Sequence, residues 1–279
     1  MKYFYVISNL SKDYVLDVQD EVQSCLEKRG AVCRYMTDYE RMKNGRHTPG
    51  EYVPEDTQCI ITIGGDGTLI QAARDLAGRN IPMLGINRGH LGFLNQVDRT
   101  EDIDAAMDAL VNERFRLEHR MMLRGTVFHE GKSVFQDIAL NEIIATSAEH
   151  LRVLRYDLAV NDEYLNEYAA DGVMVATPTG STAYNLSAGG PVMAPAGRMM
   201  AVTPVCSHTL NARSIVISEE DRVKIGLLGK GLVTFDGDTS EKTGPGDYLI
   251  VERSHMETVM VKLKQISFMQ NLSNYLGNV

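Results

Sequence analysis

No window of this 279-residue chain approaches 18 uninterrupted apolar residues, so nothing in it reads as a membrane span. The first apolar run, Tyr3 to Ile7, gives way at Ser8 and Asn9 and is too short for a secretion signal. Cysteine is scarce. Cys25, Cys33, Cys59 and Cys206 have neither CxxC nor Cys/His ligand spacing, which argues against a zinc site and a disulfide framework and reads as reduced thiols in the cytoplasm. Basic charge is also short: 28 Lys and Arg face 37 Asp and Glu, for a net charge of −9, and the cations are scattered singly. Without a basic stripe, nucleic acid is excluded as a partner. An anionic small molecule would have to be held by local backbone N–H groups, a few cations or a metal. Internal repeats, low-complexity tracts and long linkers are absent as well.

What is present divides by texture. The first third alternates strand-like and helix-like segments. Residues 3–8 are apolar and β-rich, and 14–29 place Val15, Val18, Val22 and Leu26 on one helical face before Gly30. Further strands are expected at 31–35, 59–63 and 82–86, and helices at 69–76 and 100–112, with a Pro/Gly loop at 46–55. This order implies a parallel sheet with helices on both faces. From about Glu118 the pattern becomes short alternating strands, ending in a helix-like segment at 268–276. The expectation is an α/β protein: a Rossmann-like parallel-sheet domain at 1–118, a β-rich domain at 119–264, and a tail helix at about 265–279 returning to the first.

Three constellations carry chemistry. Gly64-Gly65-Asp66-Gly67-Thr68 lies between a buried strand and a helix, where glycine N–H groups and the helix start could cradle phosphate, with Thr68 as cap. A carboxylate amid such a loop is repelled by phosphate unless it binds a cation or takes a proton, which marks Asp66 as chemical; the bland alternative is a glycine turn with a solvated Asp. The loop is neither a Walker A nor a GxGxxG fingerprint. Asn141-Glu142 interrupts an apolar run, and Glu142 could accept hydrogen bonds from both hydroxyls of a ribose, although a strand-end turn would look the same. The segment 171–191, DGVMVATPTGSTAYNLSAGGP, crowds hydroxyls around Pro178, Gly180 and one aromatic ring, Tyr184, a set that suits a base and phosphates.

Together these pieces resemble the NAD kinase family. The resemblance spans nearly the whole chain: GGDGT at 64–68, GINRGHLGFL at 85–94, LNEI at 140–143, the 171–191 segment, SHTLNAR at 207–213 and FDGD at 235–238. It implies transfer of a phosphoryl group from ATP, or another triphosphate or polyphosphate, to the 2′-hydroxyl of the adenosine ribose of NAD, with Mg²⁺ or another divalent cation. It gives Asp66 a general-base or metal-organising role and places Gly64, Gly65, Gly67 and Thr68 around phosphates. Asn141 and Glu142 would hold a ribose. Thr182, Ala183, Tyr184 and Ser187 would surround adenine, Phe93 and Leu94 would line the wall near Asp66, and Asp171 would sit at the nicotinamide end. A homodimer or homotetramer in the cytoplasm is implied too, with no protein cage for the metal. Ser207 and Ser214 stand where relatives have proline, and Ala169-Ala170 where many have a cation or glycine. His208 and Arg213 read as structural, and Arg88 and His90 as phosphate-reaching or solvated loop residues. The rival readings are another GGDG-type kinase acting on a lipid or sugar phosphate, and a nucleotide sensor without catalysis.

Overall fold

The computed structural model describes residues 1–10, 13–88, 92–97, 102–149, 152–208, 212–263 and 267–277. By its contacts the chain divides into two compact units, Met1–His119 with Glu257–Val279, and Arg120–Met256.

In the first unit, strands β1 (Tyr3–Ser8), β2 (Val32–Tyr35), β3 (Cys59–Ile63) and β4 (Met83–Ile86) form a parallel sheet in the order β2-β1-β3-β4. Because β2 lies on one side of β1 and β3 on the other, the chain reverses direction across the sheet between β1 and β3. Ligand crevices in open α/β sheets form at such a switch point, beyond the carboxyl ends of the strands. Helix α1 (Val15–Glu27) buries Val15, Val18, Val22 and Leu26 and stops before Gly30, whose φ of +72° supplies the left-handed turn. Those side chains share one core with Phe4, Val6, Ile61, Ile63, Leu84 and, from helix α4 (Ile103–Val111), Met107 and Leu110. Short helix α2 (Asp38–Asn44) was not expected from sequence.

Helix α3 (Asp66–Asp75) starts three residues earlier than the apolar pattern suggests. Gly65, not Thr68, is its N-cap, and no side chain caps it. Glycine is tolerated in a first turn, where the N–H groups lack helical partners in any case, and an acidic residue there is favoured by the helix dipole. Of the three loop glycines only Gly64 has positive φ, +154°, and a Cβ there would lie 2.4 Å from Thr68 Oγ1.

The second unit is a two-sheet β structure. One sheet contains β9 (Glu163–Ala170), β8 (Leu154–Val160), β13 (Val223–Leu227) and the first part of β16 (Tyr248–Lys262), all antiparallel. β5 (Arg116–His129) pairs with β6 (Lys132–Ala139). The other sheet runs β12 (Ile215–Ser218), β11 (Met199–Val205), β10 (Gly172–Ala176), β7 (Glu142–Ser147), β14 (Gly231–Phe235), β15 (Thr239–Thr243). Alternate residues of both sheets, among them Tyr156, Leu158, Ile225, Val251, Ile143, Val175, Val202 and Phe235, form one core. β16 is one continuous strand of 15 residues although polar residues interrupt its apolar pattern. The intervening polar residues are accommodated: Arg253 pairs with the buried Glu219 at 3.0 Å and the buried Ser254 hydroxyl accepts from Met256 N. The tail helix α6 (Phe268–Leu276) opens on a capping box between Ser267 and Gln270.

Candidate functional site

The candidate residues fall into two groups, one in each unit. In the first unit a cavity of about 650 Å³ opens at the switch point. Its lining includes Ser8 and Asn9 at the end of β1, Arg46, His47 and Thr48 from the loop before β3, and Gly65, Gly67, Thr68 and Gln71 from the start of α3. Its size is within the usual range for small-molecule sites. One side is held by a polar network: the Asp75 carboxylate accepts from Thr48 N at 2.6 Å and Gln71 Nε2 at 2.9 Å and pairs with His47 Nδ1 at 3.0 Å.

Asp66 is held differently from what a loop carboxylate facing phosphate would suggest. Its Oδ2 accepts from Phe93 N at 3.1 Å and its Oδ1 from the Asn95 side-chain amide. The carboxylate fills the space a Cβ would need at Gly92, 2.2 Å away. Burial pushes its pKa above the ordinary carboxylate range, opposed by the N–H groups of Leu94, Phe93 and Asn95 and by the Asn95 amide. A buried carboxylate with a raised pKa and several fixed donors is a stronger base than a solvated one and is held in a single orientation. Phe93, half-buried, also lies 6.5 Å ring to ring from Phe268 of α6, and Leu94 is buried. Asn95 went unnoticed in the sequence; its polar side chain directly after the apolar GFL run was the available signal.

In the second unit, Asn141 and Glu142 sit at the start of β7 and are both buried. Every backbone polar group from Leu140 to Glu142 is matched. Asp236 accepts from Leu140 N, Asn141 N and Glu142 N at 2.6, 2.8 and 3.0 Å, and its own N–H donates to Glu142 O. Thr177 donates from Oγ1 to Leu140 O and from N to Asn141 O. Gly180 lies against the same tripeptide so closely that a Cβ would fall 2.1 Å from Asn141 O. The Glu142 side chain is left with a buried Oε2 that has no hydrogen-bond partner among the described residues, and burial, then the Asp236 charge, pushes its pKa up to about 8.

The neighbouring loop is organised from inside. Ser181 Oγ donates to Pro178 O and accepts from Met193 N, and the fully buried Asn185 bonds Thr203 Oγ1 and Pro191 O. Thr182 and Ala183 are half-buried, and Tyr184 and Ser187, the two ends of short helix α5 (Tyr184–Ser187), are exposed. Asp171 is exposed just before β10. Ala169 is half-buried near the end of β9, cross-strand from Arg155. Arg88, His208 and Arg213 are exposed, and His90 lies outside the described residues. Among the described residues no three His, Cys, Asp or Glu side chains gather as a metal cluster.

A parallel sheet whose crevice lies at the switch point, beside a glycine-rich helix start, is the architecture of α/β nucleotide-binding proteins as a class. Residues 5–115 match the model of the ATP-NAD kinase N-terminal domain and residues 140–263 that of the ATP-NAD kinase C-terminal domain. The chain belongs to the ATP-NAD kinase family. It is 36% identical to the NAD kinase of Lachnospira eligens, covering 98% of this chain and 99% of the relative, and 37% identical to that of Agathobacter rectalis, covering 100% and 99%. Its fold matches yeast NADH kinase complexed with NADH, with a TM-score of 0.87 at 21% identity over 99% of this chain and 88% of the other. It also matches an NAD kinase from Archaeoglobus fulgidus in complex with ATP, with a TM-score of 0.80 at 22% identity over 100% of both chains.

Proposed function

We propose that this protein is an NAD kinase that transfers the γ-phosphoryl group of ATP to the 2′-hydroxyl of the adenosine ribose of NAD. The observation that carries the reading is the buried carboxylate of Asp66, held by the 93–95 backbone at the helix start that also borders the 650 Å³ cavity. Phosphoryl transfer to a sugar hydroxyl demands alignment of donor and acceptor more than covalent chemistry from the protein. In this reading the N–H groups of Gly65 and Gly67 and the Thr68 hydroxyl receive phosphate oxygens, the Thr68 N–H being taken by Gly65 O, and Asp66 takes the proton of the attacking hydroxyl as the new P–O bond forms and ADP leaves. That second role requires the hydroxyl to share or displace one of the donors now on the carboxylate. Asn141 and Glu142 hold a ribose, and Thr182, Ala183, Tyr184 and Ser187 form the edge of an adenine site, with Asp171 at the nicotinamide end.

A divalent cation, Mg²⁺ in the first instance, fits this donor set only as a passenger on the nucleotide. With no carboxylate cluster among the described residues, it would be carried by phosphate oxygens and water, with Asp66 at the helix start as an acidic group beside it. Its chemical contribution is neutralisation of the triphosphate charge. The cytoplasmic, homo-oligomeric state common to such enzymes belongs to the same proposal. Purified protein incubated with ATP, Mg²⁺ and NAD should form NADP, detected with an NADP-specific dehydrogenase; consumption of ATP at the same rate with or without NAD would reject the reading.

A further inference from the structure

The turn after β14 contains Asp236 and Gly237, both in the left-handed region, with φ of +49° and +67°. An Asp-Gly pair suits such a hairpin turn for conformational reasons alone. Turn chemistry does not, however, require the Asp side chain to leave the hairpin. Aspartate in a turn ordinarily bonds the backbone two residues on. The Asp236 carboxylate instead accepts three consecutive N–H groups lying 96, 95 and 94 positions away, those of Leu140, Asn141 and Glu142. These donors satisfy a charge that burial would otherwise penalise, and they freeze the tripeptide.

Beside this carboxylate stands Glu142, itself 9% exposed, with a buried oxygen that no group among the described residues satisfies. An unpartnered buried carboxyl oxygen costs stability and is most simply retained where a ligand completes it. We propose that Asp236 is a positioning residue for the acceptor: its carboxylate pins the Leu140–Glu142 backbone, and its charge keeps the Glu142 side chain a hydrogen-bond donor as well as an acceptor toward a vicinal hydroxyl pair. A neutral carboxylic acid can give its proton to one ribose oxygen and receive the hydrogen of the other. An ionised one could only receive. The inference rests on the reading of the protein as an NAD kinase, because it takes the diol to be a ribose of NAD.

Burial is the larger cause of this state, and Asp236 is the charge that adds to it. β10 (Gly172–Ala176), which pairs with β7 at Glu142, carries no ionisable residue, and in the 236–238 turn the charge that acts on Glu142 is that of Asp236. Like charge so close disfavours ionisation of the second carboxyl, in addition to the effect of burial.

The test is the dissociation constant for NAD, by titration calorimetry between pH 6 and 9, for wild type, Asp236→Asn, Glu142→Gln and the double variant, with kcat and KM at each pH. Wild-type affinity should be level at low pH and weaken through about pH 8, where Glu142 loses its proton. Asp236→Asn should move that weakening down by about one pH unit, so that it binds about threefold more weakly at pH 7.5 and about tenfold at pH 9, with the loss in KM and little change in kcat. Glu142→Gln and the double variant should give level profiles whatever their absolute affinities. If Asp236→Asn proves too poorly folded to titrate, Glu142→Gln alone decides: a pH dependence identical to wild type overturns the proposal. So does an affinity that rises through pH 8, or an Asp236→Asn profile that merely lies lower without shifting. Should wild type bind NAD and convert it while any of these occurs, only the role of Asp236 falls. Should wild type neither bind nor phosphorylate NAD, the functional reading falls and this one with it.

Discussion

A single carboxylate can be shaped for chemistry or for stability, and Asp66 and Glu142 separate the two. Asp66 accepts from the 93–95 backbone and the Asn95 amide, so deleting its carboxylate would strand buried donors, and only a variant of the same shape separates reaction from folding. Asp66→Asn is expected to bind NAD within a few-fold of wild type and to lose about 10²-fold or more in turnover, the scale associated with a positioned base. Near wild-type turnover in that variant would remove Asp66 from the chemistry. Glu142 differs in that its buried Oε2 has no donor among the described residues. Its native pKa of about 8 lies above the ordinary glutamate value of about 4.3, so between those pH values the native protein binds more protons than the unfolded chain. Stability from this group is therefore fully present below about pH 4 and is lost as pH rises toward 8. The Glu142→Gln variant has no such term. Relative to it, wild type should lose about 5 °C or more of Tm between pH 5 and pH 8, measured by calorimetry without ligand. Parallel Tm curves for the two proteins would mean that Glu142 is not the buried acid described here.

At the level of elements, local pattern was legible where one face of a segment meets one core. The buried faces of α1 and the strands Tyr3–Ser8 and Cys59–Ile63 follow directly from apolar periodicity. The elements that went unread lack that signature. β9 exposes half of its residues at a sheet edge, and β15 (Thr239–Thr243) is polar throughout. β11 contains Pro204, tolerated because β12 pairs only with Met199–Val202 and leaves that edge open. The start of α3 was misplaced because glycine propensity argues against helix, whereas its position after β3 favours one. Loop contacts are as demanding as strand pairing here. Gly180→Ala would drive a methyl group into the backbone of Asn141, which is fixed on its other side by Asp236. This variant should be destabilised by about 1–3 kcal/mol in urea unfolding and should raise KM for NAD more than it lowers kcat. Wild-type stability would show that the 177–181 loop yields, and that the Asn-Glu pair is not held as tightly as its hydrogen bonds suggest.

Over the whole molecule, the residues that announce the candidate site in the sequence are those that break a pattern: three glycines around an acid, two polar residues inside an apolar run. The residues that hold them in place are less legible: Asp236 lies in the FDGD motif and Asn95 directly after Gly92-Phe93-Leu94, but neither discloses a partner 29 or about 95 positions away. Composition has a functional consequence at this scale too. With a net charge of −9, the protein's general field opposes both NAD and ATP, so binding must rest on fixed N–H groups and on a cation that travels with the nucleotide. The central claim is that these features serve phosphoryl transfer to one particular hydroxyl of NAD. It is tested most directly by phosphorus and proton NMR of the product formed from ATP and NAD, with Mg²⁺ and with excess EDTA. The account predicts a single product carrying the new phosphate on the 2′-oxygen of the adenosine ribose, formed with Mg²⁺ and absent with EDTA. Phosphate at another position, or undiminished product in EDTA, would contradict it.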